Sequence, residues 1–408
     1  MALTTRSAGA ADLPSIGSLL ASAYLDGAGD GASLLDPLVF EPERSLLAVD
    51  GGRVVAHVGS YGRRLAVPGT VQPSAHVALV AVAPGYRRQG LLSGLIRRQL
   101  TDLYETRREA IAVLWASEAR VYPRYGFGLA SSRLEVAADV RELGQVPAPE
   151  RSPRRLLDLP VADGLAAARA VYDGVWSTRP GWSERTDAWW RHLAADPPDR
   201  RHGATALRVL LAEGPDAADG YAMWRATGRW SVTGPAGIVD VREVVADGSD
   251  ALRALWRFLL GVDLTRTVTY PFGTVDDPLL YLVDEPRRLA GALVDALWVR
   301  VVDVRAALAG RRYRVPVDVV LQVRDDLLRG NAGGWRVSGD SSSASCAPTS
   351  AEPDLTMDVQ DLGAVYLGGT PLTALAAAGR VHEHRRGALA AASTAFSWHQ
   401  PPSAAEMF

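Results

Sequence analysis

Apolar positions in the first 120 residues recur alternately with the period of a strand and the period of a helix. Thr4 to Arg6 predicts a short strand. Residues 11–26 predict a helix, because Ile16, Leu19, Leu20, Ala23 and Tyr24 share one face behind an Asp12-Leu13-Pro14 start. A glycine-rich loop, Asp26 to Gly31, follows. Ser45–Val49 and Val54–Tyr61 predict two strands joined at Asp50-Gly51-Gly52, with Arg64–Val67 extending the second. His76–Val82 is a further β-rich run. Leu91, Leu92, Leu95, Ile96, Leu100 and Leu103 then mark the buried face of a helix that runs to about Arg107, and Ala110–Ser117 predicts another strand.

Beyond Pro147 to Pro153, which reads as a linker, residues 155–290 predict a second α/β unit. Tyr221–Trp224 and Trp230–Val232 read as hairpin strands. Ile238–Val245 leads into a helix over 250–260, repeating the strand-then-helix layout of the first unit. The pattern changes again near Leu297. Trp298–Val304 precedes a short helix, strands are predicted at Val317–Val323 and Asp354–Val359 with Gly333–Val337 and a serine-rich loop at 341–345 between them, and a helix is predicted at Asp361–Tyr366. A chain of 408 residues exceeds one ordinary core, in agreement with more than one domain.

Composition narrows the class. The net charge of −2 supplies no field for nucleic acid or an anionic membrane, so neither is expected as a partner. No apolar run reaches the ~18 residues of a membrane-spanning helix. The first residues lack the basic and apolar regions of a secretory signal, and Cys346 is the only cysteine, so a reducing, cytoplasmic setting is expected. All 44 basic residues are arginine, a bias of the kind a GC-rich genome produces, and no side chain offers an amine.

Candidate chemistry concentrates at Val80-Ala81-Val82-Ala83-Pro84-Gly85-Tyr86-Arg87-Arg88-Gln89-Gly90-Leu91-Leu92-Ser93. A strand feeds a helix through a basic, glycine-containing turn. Unpaired amides and the positive dipole end of a helix N-terminus favour an anion, and Gly90 lets a phosphate approach the backbone. Taken alone, the turn reads equally as a solvated surface loop. The pair His382 and His384 around Glu383 has metal-like spacing only superficially, and no metal site is expected.

The Arg87–Leu92 turn resembles the pyrophosphate loop of the GNAT superfamily of N-acetyltransferases, and the element order β, α, β, β, β, α, β is the GNAT order. Leu92 stands where most GNATs have Gly or Ala. Ser117-Glu118 followed by Tyr122-Pro123-Arg124-Tyr125-Gly126-Phe127-Gly128 sharpens the match. That run, with Arg-x-Gly-Leu-Leu in the loop, resembles the enhanced intracellular survival (Eis) family of acetyltransferases over essentially the whole chain.

The resemblance implies an α/β (α+β) fold in three parts. These are a catalytic GNAT domain at 1–146, a degenerate GNAT-like domain at 147–294, and a sterol-carrier-like domain at 295–408 whose C-terminus enters the active site. Asp247 and Asp250 replace the arginines of the first loop, so the second domain is expected to hold no coenzyme. Acetyl-CoA is the implied co-substrate, held by Val80, Ala81, Val82, Arg87, Arg88, Gln89, Gly90, Leu91, Leu92, Ser93, Ser117 and Glu118. Tyr122 is the implied general acid, protonated at neutral pH with a reference pKa of about 10. The C-terminal carboxylate of Phe408 is the implied general base, reached over the stiff Pro401-Pro402 step. No cysteine lies near the loop, so direct attack by an amine is expected. Asp26, with Glu406 and Glu118, is expected to attract an aminoglycoside-like or other polyamine cation. A homohexamer is implied by the family alone. Two other functions compete: acetylation of protein lysines or N-termini, and a non-catalytic scaffold that binds an apolar ligand. The intact Arg87-Arg88-Gln89-Gly90 turn weighs against the scaffold.

Overall fold

The computed structural model describes residues 3–25, 35–144, 146–147 and 154–408. In the first unit β1 (Thr4–Ser7), β2 (Leu46–Asp50), β3 (Arg53–Val67) and β4 (Thr70–Val82) form an antiparallel run, and β5 (Ile111–Trp115) pairs parallel to β4. Helix α1 (Leu13–Tyr24) lies between β1 and β2, and α2 (Leu91–Thr106) crosses from β4 to β5. The two segments expected as separate pieces, Val54–Tyr61 and Arg64–Val67, are one 15-residue strand. Tyr61 to Val67 stays strand because each residue finds a partner on the long β4.

The sheets do not follow the expected domain boundaries. After the short β6 (Gly128–Leu129), the chain contributes β7 (Ser132–Asp139) to the second sheet, between Thr265–Gly273 and Ala292–Asp295. It then returns at Leu297–Val301, which inserts between β5 and β6 of the first sheet. A cut at 146 therefore leaves a strand of the second sheet with the first unit. A cut at 294 assigns an interior strand of the first sheet, next to its edge, to the third unit.

Alternation explains why Leu297–Val301 sits there. Its five residues are all buried. Leu297, Val299 and Val301 join the apolar core of the C-terminal domain, and Trp298 faces the core beneath α1 and α2. The neighbouring β5 divides likewise, with Ile111 and Val113 on one side and Ala112 and Leu114 on the other. A strand apolar on both faces requires cover on both faces. The C-terminal domain supplies one of them, packed directly against the first sheet. Arg300, the polar exception, is buried with its guanidinium 2.6 Å from Asp325.

The second unit is a seven-stranded sheet that includes β7, with the long helix Val161–Val175 and the helix Ser249–Leu260 packed on it. Trp230–Ser231 forms its own small hairpin with Gly234–Pro235 instead of extending this sheet. The C-terminal domain is a five-stranded sheet in which Val317–Arg324 is central, covered by helices that include Val359–Val365 and Ala388–Phe396. No helix among the described residues is long and apolar enough to cross a membrane.

Candidate active site

The parallel pairing of β4 and β5 stops at Val77 and Leu114. Beyond that point Ala78, Ala81 and Val82 of β4 keep β3 partners, but the edge on the β5 side is left open. Leu79 takes a left-handed conformation (φ 57°), and the β3–β4 register slips at this point. The bulge is fixed from beneath by His57, whose Nδ1 lies 2.6 Å from the Leu79 carbonyl. A carbonyl only accepts, so Nδ1 carries the proton and donates. Burial lowers the His57 pKa to about 4, and the Leu79 hydrogen bond only partly offsets this.

His76 is also wholly buried. Its Nε2 lies 2.8 Å from Ser183 Oγ and its Nδ1 3.3 Å from the Ser74 carbonyl. Burial, together with the Arg63 charge, holds it well below the ordinary range. A histidine neutral in the fold and ordinary when unfolded lets the unfolded state bind more protons between the two pKa values. Stability is therefore full above about pH 6.5 and falls as pH drops toward 4, by ~1.4 kcal/mol per unit for each such histidine. Denaturant melts at pH 7 and pH 5 are expected to show a clear loss at the lower pH, and His57→Gln is expected to reduce the difference. An equal midpoint at both pH values would falsify this.

The open edge of β4 forms one wall of a cavity of about 730 Å³. Val80, Ala81 and Val82 line that wall, and Arg87, Arg88 and Gly90–Ser93 line the end at the α2 N-terminus. Ser117, Glu118 and Tyr122 close the side toward β5. These expected residues converge on one space. Gln89 does not line it, because its Nε2 turns back to the Gly85 carbonyl at 3.0 Å and braces the loop. Arg87 braces it too, through Nε to the Val82 carbonyl at 3.3 Å.

Two backbone features make this turn an anion cradle. Arg88 (φ 61°) and Gly90 (φ 83°) are both left-handed, and such alternation turns successive amides toward one point. The first-turn amides of α2 have no intrahelical acceptor. A Cβ on Gly90 would meet nothing within 4 Å, so the space before it is open. Arg88 is exposed and has no ion pair or hydrogen bond among the described residues, leaving its charge available. A pyrophosphate fits this donor set, and the unpaired β4 edge fits an extended amide-bearing arm added as an extra strand.

Tyr122 is 4% exposed, and burial, reinforced by Tyr24, holds its phenol above the ordinary range. A hydrogen bond with Ser117 opposes the shift only in part. Sequence reasoning missed Tyr24 and Tyr125 as members of this cluster. Tyr24 closes α1 and donates to the Val80 carbonyl at 3.0 Å, and Tyr125 Oη lies 2.8 Å from Ser93 Oγ. The signal was a tyrosine ending a helix beside a glycine-rich loop, and an aromatic three residues after Tyr122.

The C-terminus reaches the first domain. The Phe408 ring packs edge-on against His76, with centroids 4.5 Å apart, beside Tyr61, Ala78 and Trp189. It lies on β4 just before the bulge and does not line the larger cavity. Glu406, expected to attract substrate cations, is instead 7% exposed and committed. Its Oε1 is 2.6 Å from Arg63 and its Oε2 2.6 Å from Arg185 Nε, and Arg185 continues to Glu243 and Tyr221. Burial alone would raise this carboxyl, but the charges and hydrogen bonds of the two arginines hold it below the ordinary range. With both oxygens engaged, Glu406 anchors the tail and offers no free charge to a substrate. Of the remaining acidic residues expected at the site, Glu118 lines the cavity, and Asp26 lies outside the described residues. His384 hydrogen-bonds Thr356 at 2.8 Å, and no group of three or more metal-ligand side chains occurs among the described residues.

Comparison with known proteins agrees with this geometry. Residues 4–130 and 181–305 each match an acetyltransferase (GNAT) domain model, and residues 304–405 a sterol carrier protein domain. An uncharacterized N-acetyltransferase of Streptomyces avermitilis is 40% identical over 88% of this chain and 87% of its own. The N-acetyltransferase Eis of Mycobacterium bovis is 30% identical over 91% of this chain and 90% of its own. Among solved structures, Eis1 from Mycobacterium abscessus matches all of both chains with a TM-score of 0.81 and 32% identity. A GCN5-related N-acetyltransferase from Anabaena variabilis, at 21% identity and TM-score 0.85, shares the fold over all of both chains.

Proposed function

The chain belongs to the Eis family of GNAT N-acetyltransferases and is an acyltransferase, and from that premise we propose that it acetylates small polyamines, aminoglycosides among them, by direct attack. The supporting observation is the convergence of the phosphate cradle, the open edge of β4 and Tyr122 on one cavity. A GNAT domain implies acetyl-CoA, which supplies the acetyl group as a thioester. The amides before α2 and the Arg88 guanidinium would hold its pyrophosphate, with Val80 and Val82 pairing its arm.

Transfer to an ammonium substrate needs a proton removed from nitrogen and negative charge stabilised at sulfur. We assign the second task to Tyr122 Oη. A buried phenol held above its ordinary range stays protonated and offers an O–H to developing charge. The same shift makes early complete proton transfer unfavourable, so donation belongs to the transition state. Tyr122→Phe is expected to lower kcat by ~10²-fold with little change in acetyl-CoA affinity, as for a group that acts only in the transition state. Stopped-flow thiol release and calorimetry measure the two quantities, and an unchanged kcat removes Tyr122 from the mechanism.

The first task goes to the Phe408 carboxylate. With a reference pKa near 3.5 it is a weak base, so a water between it and the amine relays the proton. Substrate charge is met by Glu118 and Asp26, since Glu406 is already paired. The deciding experiment is a panel of amines with acetyl-CoA, following thiol release: an aminoglycoside, a linear polyamine, a lysine peptide and a free peptide N-terminus. Turnover confined to the peptides would replace the polyamine reading with protein acetylation. Acetyl-CoA hydrolysis with no amine dependence would overturn both. A cytoplasmic setting suits a chain with one cysteine. The hexamer that the family resemblance implies is tested by light scattering, where a mass near 43.5 kDa excludes it.

A further inference from the structure

The second unit repeats the open-edge geometry of the first but not its loop. Its strand Gly237–Ala246 pairs parallel with Thr265–Gly273 only as far as Asp240 and Thr269. Residues 241–246 are then open on that side, as residues 78–82 are in β4. The turn to the next helix is reduced to Asp247-Gly248 before Ser249, with Asp250 in the first helical turn, so no pyrophosphate cradle can form. The chain's own tail lies across this second cleft. Arg179 donates to the Pro401 carbonyl at 3.0 Å, Trp182 Nε1 to Ser403 Oγ at 2.9 Å, and the Ser403 amide to the Pro180 carbonyl at 3.0 Å. Gly181 (φ 94°) permits this contact, since a Cβ there would strike the Ser403 carbonyl.

The tail does not fill the cleft. A cavity of about 300 Å³ remains, walled by Trp256 and Phe272 on one side and by Gln400 and Ser403–Ala405 on the other. That volume suits a small ligand. One polar atom on its lining, Gln400 Oε1, is buried without a partner among the described residues, and Thr274 Oγ1, whose hydroxyl is engaged by Asp276, keeps acceptor capacity. Unsatisfied buried polar atoms are uncommon and call for an occupant. The charges around the space discriminate among ligands. Arg179 is fully committed, to Asp276 at 2.9 and 3.1 Å as well as to Pro401. The Asp277 oxygens accept the amides of Thr274 and Leu279, and Glu243 is held by Arg185. Asp247, at the mouth, is exposed and has no partner for its carboxylate among the described residues. The free groups are thus acceptors and a negative charge, set over an aromatic wall.

We propose that this cleft is a second ligand site, which takes a small organic ammonium with an apolar or aromatic body, and that its occupancy bears on the catalytic tail forming its wall. The ammonium meets Asp247 and the acceptors Gln400 Oε1 and Thr274 Oγ1, and the body lies against Trp256 and Phe272. From Ala405 the tail runs only through Glu406 and Met407 to Phe408, so a ligand pressing on Ser403–Ala405 acts close to the terminal carboxylate. This second half of the proposal rests on the assignment of that carboxylate as the base. The binding half does not.

Phenethylammonium serves as probe, and 3-phenylpropionate, of similar shape and opposite charge, as control. Calorimetry on the full chain is expected to show binding of the first and none of the second. Val244→Phe, which grows into the cavity from a half-buried strand position, should abolish binding. Asp247→Asn, an exposed change that tests the charge without filling space, should weaken it by at least ~10-fold, about 1.4 kcal/mol. Neither variant should alter basal turnover. Phenethylammonium should change the wild-type kcat at least ~2-fold and leave Val244→Phe unaffected. Equal affinity in wild type, Val244→Phe and Asp247→Asn overturns the site. Binding lost in Val244→Phe without any effect on wild-type turnover overturns the coupling. An enzyme that binds phenethylammonium as described but releases no thiol with any amine keeps the site and refutes the acetyl-transfer reading instead.

Discussion

Removing Phe408 is expected to lower turnover by roughly 10²-fold or more, within the range of a general base, while acetyl-CoA binds almost as before. The reason for the split is spatial. Phe408 packs on β4 at His76 and Ala78, outside the lining of the larger cavity, whereas the phosphate cradle lies beyond the bulge and lines it. A C-terminal tag should do the same damage, since it converts the carboxylate to an amide that accepts no proton and has no room beside Tyr61 and Trp189. His76 cannot take over. It is neutral, buried and hydrogen-bonded at both ring nitrogens. Glu406→Gln is the companion experiment. It leaves the side chain's shape but strips the charge that Arg63 and Arg185 require. Unpairing a buried charge of this kind costs on the order of 3–5 kcal/mol. It should lower the melting temperature and kcat together, whereas loss of Phe408 should lower kcat with a smaller effect on melting. Full activity in a tagged enzyme would remove the terminal carboxylate from the mechanism and leave a water chain as the route for the proton.

The second large effect is expected at Gly90. Gly90→Asp should weaken acetyl-CoA at least ~10²-fold, about 2.7 kcal/mol. Two costs combine. At φ 83° a Cβ carries roughly 1–2 kcal/mol of backbone strain, although nothing lies within 4 Å to clash with it. The new carboxylate then sits where the amides and Arg88 await an anion. Gly90→Ala separates the two: it carries the strain and not the charge, and should lose much less affinity than the aspartate. Calorimetry with acetyl-CoA, and with coenzyme A lacking the acetyl group, should give the same ranking, because the contact is with the phosphates. Unchanged affinity in Gly90→Asp places the coenzyme elsewhere.

The strand–turn–helix layout of residues 80–93 was legible from residues alone because its structure is local, while its reading as a coenzyme loop came from the family resemblance. The strand ends at Pro84-Gly85, the helix starts at a glycine that alone suits φ 83°, and the apolar face of α2 recurs at helical spacing. The motif from Ser117 to Gly128 is equally local, but its meaning for Tyr122 was read through the family resemblance. What the tertiary structure decided are the relations between distant segments. The exchange of Ser132–Asp139 for Leu297–Val301 has no local signature. Each is an ordinary strand, and only the sheet that can cover both its faces determines where it pairs. Glu406 is similar in kind. A carboxylate near the chain end reads as solvated or substrate-facing, and its partners Arg63 and Arg185 are hundreds of residues away, with no spacing to reveal them. The His57 support under the bulge and the tail across the second cleft follow the same rule. Periodicity and turn chemistry act over a few residues and write themselves into the sequence, whereas burial and charge pairing across the fold depend on which surfaces meet once the three sheets have packed.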